Sequence, residues 1–199
     1  MIGFILLGLA AYEGSLLVQE YRERLDYWTE ARSYSDEVGK PLLCVGIRRK
    51  PFQPPNGDVT LDLDPVVTQI PGGVQGDVTD MPFTNKEFGA CICTHILEHL
   101  ESQEDVDRAV NECMRVADKA FFLCPSPRGI WASFFCKDHH LRIWFDQDIN
   151  TIKVGDNPYN TGLGVNSDRA YTNEGKLIRR KGIGQALVST EVPTVSIRS

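Results

Sequence analysis

An α/β fold built on a mostly parallel sheet is what this sequence predicts, and three observations predict it. Short apolar runs with the look of buried strands recur through its middle: PLLCVGI, DVTLDLD, FGACICTHI and KAFFLCP. A single strongly patterned helix, ESQEDVDRAVNECMRVA, falls between the last two. The order strand, turn, strand, turn, strand, helix, strand suits parallel pairing, with ligands bound at the C-terminal edge of the sheet.

The chain has 199 residues, enough for one domain with appendages. Its first 18 residues, MIGFILLGLAAYEGSLLV, are apolar apart from Glu13. That length is the lower limit for crossing a bilayer, and no basic region or small-residue cleavage site marks a secretory signal. A membrane anchor through residues 1–18 is one expectation. Arg22, Arg24 and Arg32 follow, so an anchored chain would hold its main domain on the cytoplasmic side. Glu13 opposes insertion by about 2.5–3.5 kcal/mol on scales for charged residues. The alternative is a helix packed on a partner or on the chain's own core. In residues 19–38, Leu25, Trp28 and Ala31 recur at helical spacing among charges, and Gly39 is a natural stop.

After the N-terminal helix, residues 39–150 form the expected core. In its patterned helix, Val106, Ala109, Val110, Cys113, Met114 and Ala117 make one apolar stripe, and Ser102 with Asp105 resembles a capping arrangement. Residues 151–199 form a polar, Gly-rich extension in which only KLI and QALVSTEVPTVSI look strand-forming. The IRRKG cluster reads as a solvated basic patch, and neither a repeat nor a nucleic-acid motif is visible. A net charge of -6 argues against a chain that grips nucleic acid through a broad basic surface. The six cysteines sit mostly inside apolar runs, without a CxxC pair of zinc spacing, and read as buried free thiols in a reducing, cytoplasmic setting.

The chemistry of a nucleoside site needs a glycine turn after one strand, an acid ending the next, and another acid further on. Gly46 follows PLLCV, Asp62 and Asp64 end VTLDLD, and Asp77 lies in GDVTDMPF. Glycine lets the backbone approach a ligand, and the acids can accept hydrogen bonds from ribose hydroxyls and an adenine amino group. A second constellation, CKDHHLRIWF, holds Asp138, His139, His140 and Trp144. Adjacent histidines can supply a base. No third ligand at regular spacing accompanies them, so a metal site is not expected. Trp131 and Trp144 read as packing residues, with Trp131 also able to wall a pocket.

The run GDVTDMPFTNKEFGACICTHILEHL resembles the GDAxxLPFxDxSFDxVxxxHVLEH signature of class I, S-adenosylmethionine-dependent methyltransferases of the type 11 group. NECMRVADKAFFLCPSP is similar to their segment in which a helix ending LRRV leads to a strand ending in Pro. The resemblance spans residues 40–127 and implies a Rossmann-like three-layer sandwich with an added N-terminal helix. It implies S-adenosylmethionine as cofactor, with Gly46 as first loop glycine and Asp62 as ribose acid, Asp64 being its neighbouring alternative. Asp77 would contact adenine, Val78 would place its backbone there, and Thr94 and His95 would face the methionine end and the acceptor. Glu98 and His99 match the LEH pair that orients helix and loop. His139 or His140 would line the substrate side, so His95, His139 and His140 are the candidate bases. The loop departs from the family's D-x-G-x-G-x-G: Cys44 replaces the acid, and Arg48 and Lys50 replace the later glycines. Two bulky cations there should narrow the pocket. The expected function is methyl transfer to an unidentified small-molecule or protein acceptor. The alternative is a non-catalytic scaffold in a larger, membrane-associated assembly with a protein partner.

Overall fold

The structure, a computed structural model, describes residues 2–49, 53–125, 139–146, 151–156, 185–189 and 191–197. It opens with one continuous helix, α1 (Ile2–Val38), of 37 residues and so about 55 Å long. No proline interrupts it. It stops at Gly39, whose φ of 69° is open to glycine, and Lys40 N–H closes the end on Ser35 O at 3.0 Å. Its C-terminal half buries Tyr27, Ala31 and Ser35, four residues apart on one face. Gly89 lies beneath: a Cβ there would sit 2.8 Å from Ser35 Cα, so only glycine admits the helix this close.

The anchor expected in residues 1–18 finds no support, because among the described residues no helix is long and apolar enough to cross a membrane. The apolar run holds Glu13 and continues without a break into the charged turns from Gln19 onward. Leu7, Tyr12, Leu17 and Val18 are exposed, whereas Leu16 is buried.

Five parallel strands follow: β1 (Leu42–Val45), β2 (Val59–Asp62), β3 (Gly73–Gln75), β4 (Phe88–Thr94) and β5 (Ala117–Cys124). Strand β6 (Leu141–Asp146) pairs antiparallel with β7 (Thr151–Asp156), and β7 pairs with β9 (Thr194–Ile197) in a small second sheet. Strand β8 (Gln185–Ser189) closes the main sheet antiparallel to β5. The main order is β3-β2-β1-β4-β5-β8. The chain builds outward through β2 and β3, then returns to the other side of β1 with β4. That reversal between β1 and β4 is the switch point at which such sheets bind ligands, outside the carboxyl ends of the strands.

Both faces of the sheet are covered, which makes three layers. On one face α1 packs Tyr27 and Ala31 against Leu42, Cys44, Ala90, Ile92, Phe121 and Leu123. On the other, helix α2 (Gln103–Val116) lays down Val106, Ala109, Val110, Cys113 and Met114, and the small sheet adds Leu141, Ile143, Ile152 and Val154. The α2 cap is as read from the sequence: Ser102 Oγ accepts from Asp105 N–H at 3.1 Å. Burial on both faces is why the strand runs are apolar almost throughout. Cys44, Cys91, Cys93, Cys113 and Cys124 are buried free thiols. Burial pushes the Cys44 thiol up to about 12, so it stays protonated and behaves as a small apolar side chain.

The extension beyond residue 150 contributes β8 to the main sheet and β7 and β9 to the small one. Strands β3, β6 and β7 carry no clear sequence pattern: GVQ is too short for one, and LRIWFD adjoins the paired histidines. Lys50, Pro127, Trp131, Cys136, Asp138, KLI, IRRKG and the side chain of Trp144 lie outside the described residues.

Candidate active site

Gly46, Asp62 and Asp64 meet at the carboxyl ends of β1 and β2, while Asp77 follows β3 and Thr94 ends β4. Gly46 leaves β1 with φ 95°, and its N–H donates to Leu61 O at 2.8 Å, tying the turn to β2. A Cβ on Gly46 would lie 3.1 Å from Ile96 Cδ1, so the glycine also faces the start of the loop after β4. Asp62, the last residue of β2, is held by two backbone donors. Ile47 N–H donates to its Oδ2 and Asp64 N–H to its Oδ1, each at 2.8 Å. A carboxylate offers about four lone-pair sites, so each oxygen keeps capacity for a ribose hydroxyl. Asp64 caps the 3-10 turn Pro65–Gln69 by accepting from Val66 N–H.

Arg49 stands over both acids, its Nη2 2.9 Å from Asp64 Oδ2 and 3.7 Å from Asp62 Oδ1. The N–H of Val66 and then Arg49 hold the Asp64 carboxyl below its ordinary range. Arg48, one of the two cations expected to narrow the pocket, is exposed, and its N–H donates to Asn56 Oδ1 at 3.0 Å. The remodelled loop thus places its neighbour, Arg49, on the acids.

Asp77 follows β3. Its Oδ1 accepts from Thr79 N–H and Thr79 Oγ1–H, both at 2.8 Å, which fixes the turn. Val78 turns its side chain into the core, leaving only its backbone to a ligand. The turn is braced from α2 by a pair that sequence reasoning passed over. Arg115 donates to Glu112 Oε1 and Oε2 at 2.6 and 2.7 Å, to Phe83 O at 2.8 Å and to Met81 O at 3.0 Å. Glu112 in turn accepts from Met81 N–H at 2.7 Å. The signal available was the arginine of the NECMRV segment itself, one residue before the helix ends.

The histidines lie at the carboxyl ends of β4 and β5. His95 directly follows β4 with φ 56°, a left-handed backbone uncommon for a residue with a Cβ, and its N–H donates to Leu123 O at 2.8 Å. Its side chain opens on a cleft lined by Glu20, Glu23, Arg24 and Tyr27 of α1 with Leu123 and Cys124 of β5. Burial, then the charges of Arg24, His139 and His99, hold the His95 imidazole well below its ordinary range, so it is neutral near pH 7. Glu98 sits behind it, 3% exposed. Its Oε1 is 3.8 Å from His95 Nδ1 and 4.0 Å from His139 Nε2. Burial pushes the Glu98 carboxyl up to about 8, and Glu20 adds to the rise against its own backbone N–H, Arg24 and the Cys124 thiol. His99 and His139 pack edge to face with centroids 4.8 Å apart. His140 is aimed elsewhere, its Nε2 4.0 Å from Glu101 Oε1 and its side chain 41% exposed. Thr94, the last residue of β4, pairs with Leu123 and is half-buried.

The structure therefore makes two groups of the residues named from the sequence. Gly46, Asp62 and Asp64 form one, and His95 and His139 form another around Glu98. The contribution of α1 to the second was not legible, because nothing in residues 19–38 marks which residues reach the sheet edge.

Residues 59–122 match the family model of the methyltransferase domain, type 11. No curated protein matches the chain. Among solved structures, the chain is similar to the N-methyltransferase NodS of Bradyrhizobium japonicum in complex with S-adenosyl-L-homocysteine. The two are 16% identical over 51% of this chain and 60% of that one, with a TM-score of 0.36. It is similar also to the YcgJ protein of Bacillus subtilis, at 17% identity over 42% and 43% of the two chains, TM-score 0.31. A third is an S-adenosylmethionine-dependent methyltransferase from Thermotoga maritima, 11% identical over 92% and 95%, TM-score 0.42. The chain thus spans less than two thirds of the length of NodS and of YcgJ. Scores this low carry no argument of their own, and the fold rests on the strand order described above. Over residues 59–122 the chain is thus similar to a methyltransferase domain.

Proposed function

We propose that the chain transfers a methyl group from S-adenosylmethionine to an acceptor that remains to be identified. The observation that carries this reading is the pairing of Gly46 and Asp62 at adjoining strand ends beside the switch point. A glycine of positive φ and an acid with spare acceptor capacity suit a ribose and the backbone approach it needs. When bound, the cofactor supplies an electrophilic methyl on a sulfonium. Asp62 accepts from the ribose hydroxyls with Asp64 beside it, and the turn of Asp77 and Val78 receives the adenine. Thr94 and His95 border the methionine end. Neutral His95 takes a proton from the acceptor, and His139 shapes the same wall. Most of the rate would come from holding acceptor and methyl in line.

One observation favours the other reading, a retained scaffold without catalysis. Asp62 already meets two backbone donors and Arg49, so its acid is partly spent within the loop. Calorimetric titration of the full chain with S-adenosylhomocysteine separates the two. Saturable binding that Asp62→Ala weakens by about tenfold or more, as expected for lost charge-assisted hydrogen bonds, supports the enzyme. No heat at millimolar ligand sinks it and leaves the scaffold.

A further inference from the structure

The fold joins three potential ligands that no local spacing joins. Glu98 and His99 lie in the 3-10 turn Leu97–His99 after β4, and His139 precedes β6 by two residues, some forty positions later. One ligand atom from each lies within 4.8 Å of the others. His139 Nε2 is 4.0 Å from Glu98 Oε1, and His95 Nδ1 approaches that same oxygen at 3.8 Å. In a tetrahedral site with bonds of about 2.0–2.1 Å, ligand atoms stand roughly 3.3 Å apart. The longest separation would need to contract by about 1.5 Å at most, within the reach of side-chain torsions.

A second observation points the same way. Glu98 is 3% exposed, and neither buried carboxylate oxygen makes a well-formed hydrogen bond, its own N–H and the Cys124 thiol offering only weak contacts. An unsatisfied buried carboxyl is costly, and buried carboxylates are ordinarily paired or bound to a metal. From this geometry we propose that Glu98, His99 and His139 bind a divalent transition cation of the Zn²⁺ class. Two imidazoles and one carboxylate are a donor set for zinc, whereas magnesium and calcium prefer oxygen throughout. Three protein ligands leave a fourth position, as in zinc sites that keep a water, and His95 is the nearby group able to contact it. The ion would neutralise the buried acid and clamp the stretch before β6 onto the edge of the main sheet. It would stand beside the cleft formed by α1, apart from the Gly46 and Asp62 group, so its test is independent of cofactor binding.

The sequence alone spoke against this site, since Asp138, His139 and His140 lack a regularly spaced third ligand. The missing ligands come from the LEH pair, brought there by the topology. The test uses the full chain, stripped with chelator and titrated with Zn²⁺ against a chromophoric competitor. One equivalent should bind. His99→Ala and His139→Ala should each weaken it by about 100-fold or more, since loss of partners one shell further out already costs about 10–100-fold. His140→Ala should leave the affinity within about twofold. Co²⁺ substituted for Zn²⁺ should give d–d bands without a thiolate charge-transfer band, which distinguishes this cluster from the cysteines. Absence of stoichiometric binding, a thiolate band, or an affinity unchanged from the parent chain in either the His99 or the His139 variant overturns the proposal. Glu98→Gln is a further variant, and the histidine pair decides even where that one fails to fold.

Discussion

At the scale of single residues, the edge where β1 and β2 end is governed by a competition for Asp62. Arg49 reaches both Asp62 and Asp64 from an exposed position, where an ion pair contributes about 0–1 kcal/mol. Removing it frees the acid and also removes positive charge near a sulfonium. Arg49→Ala is therefore expected to tighten binding of S-adenosylmethionine by up to about fivefold, measured by calorimetry; weaker binding would show that Arg49 assists the cofactor instead. His95 makes a different prediction. It combines a left-handed backbone with a neutral imidazole, so His95→Asn keeps a residue that tolerates this φ while deleting the base. Turnover should fall by about 10²–10⁴-fold, the usual contribution of a general base, with the affinity for S-adenosylhomocysteine little changed. Loss of both together would assign His95 to structure.

At the scale of elements, the turn carrying Asp77 depends on α2 through Arg115 and Glu112. Arg115, followed by the Met81 N–H and against the opposing effect of burial, lowers the Glu112 carboxyl from its ordinary range. A folded pKa below the unfolded one stabilises the protein above the unfolded value, about 4.3, and the gain is lost as pH falls through the folded value. Glu112→Gln should cost about 1–3 kcal/mol at pH 7, the range for hydrogen bonds to charged groups. The gap to the parent chain should narrow as the pH falls below that unfolded value and close as it passes the lowered folded one. Urea midpoints across pH provide the measurement, and a gap independent of pH would exclude the ionic origin. Because the same pair anchors Met81 and Phe83, the variant should also loosen the turn of Asp77 and Val78.

The whole molecule depends on α1, whose C-terminal half is a core element. From Tyr27 onward it covers one face of the sheet, over Leu42, Ala90, Ile92 and Phe121, while Leu7, Tyr12, Leu17 and Val18 are exposed. Leu7→Ser and Tyr12→Ser should each change the unfolding free energy by no more than about 0.5 kcal/mol, as for other surface changes. Removal of residues 1–38 should abolish cooperative unfolding, since it bares a complete sheet face. Thermal melts followed by circular dichroism test both; a cooperative melt of the shorter chain would make α1 an accessory. The consequence for function is that the helix lends Glu20, Glu23, Arg24 and Tyr27 to the cleft beside His95. Any assay on a core lacking α1 would be made on an incomplete site.

What the sequence by itself determined was the set of elements buried on all sides. Leu42–Val45, Phe88–Thr94 and the α2 stripe were legible because burial admits only apolar side chains there, and Ser102 marked its own helix start. The positions of Gly46, Asp62 and Asp77 were legible because each stands at or just after the end of a strand. Tertiary structure alone decided the strand order, the continuity of α1 past residue 18, the reach of Arg49 to two acids, and the meeting of Glu98, His99 and His139. These depend on which strand ends become neighbours, and spacing along the chain does not record that. A buried carboxyl shows itself only when the fold has removed its water, so Glu98 read as a helix-orienting residue until the sheet edge was assembled around it.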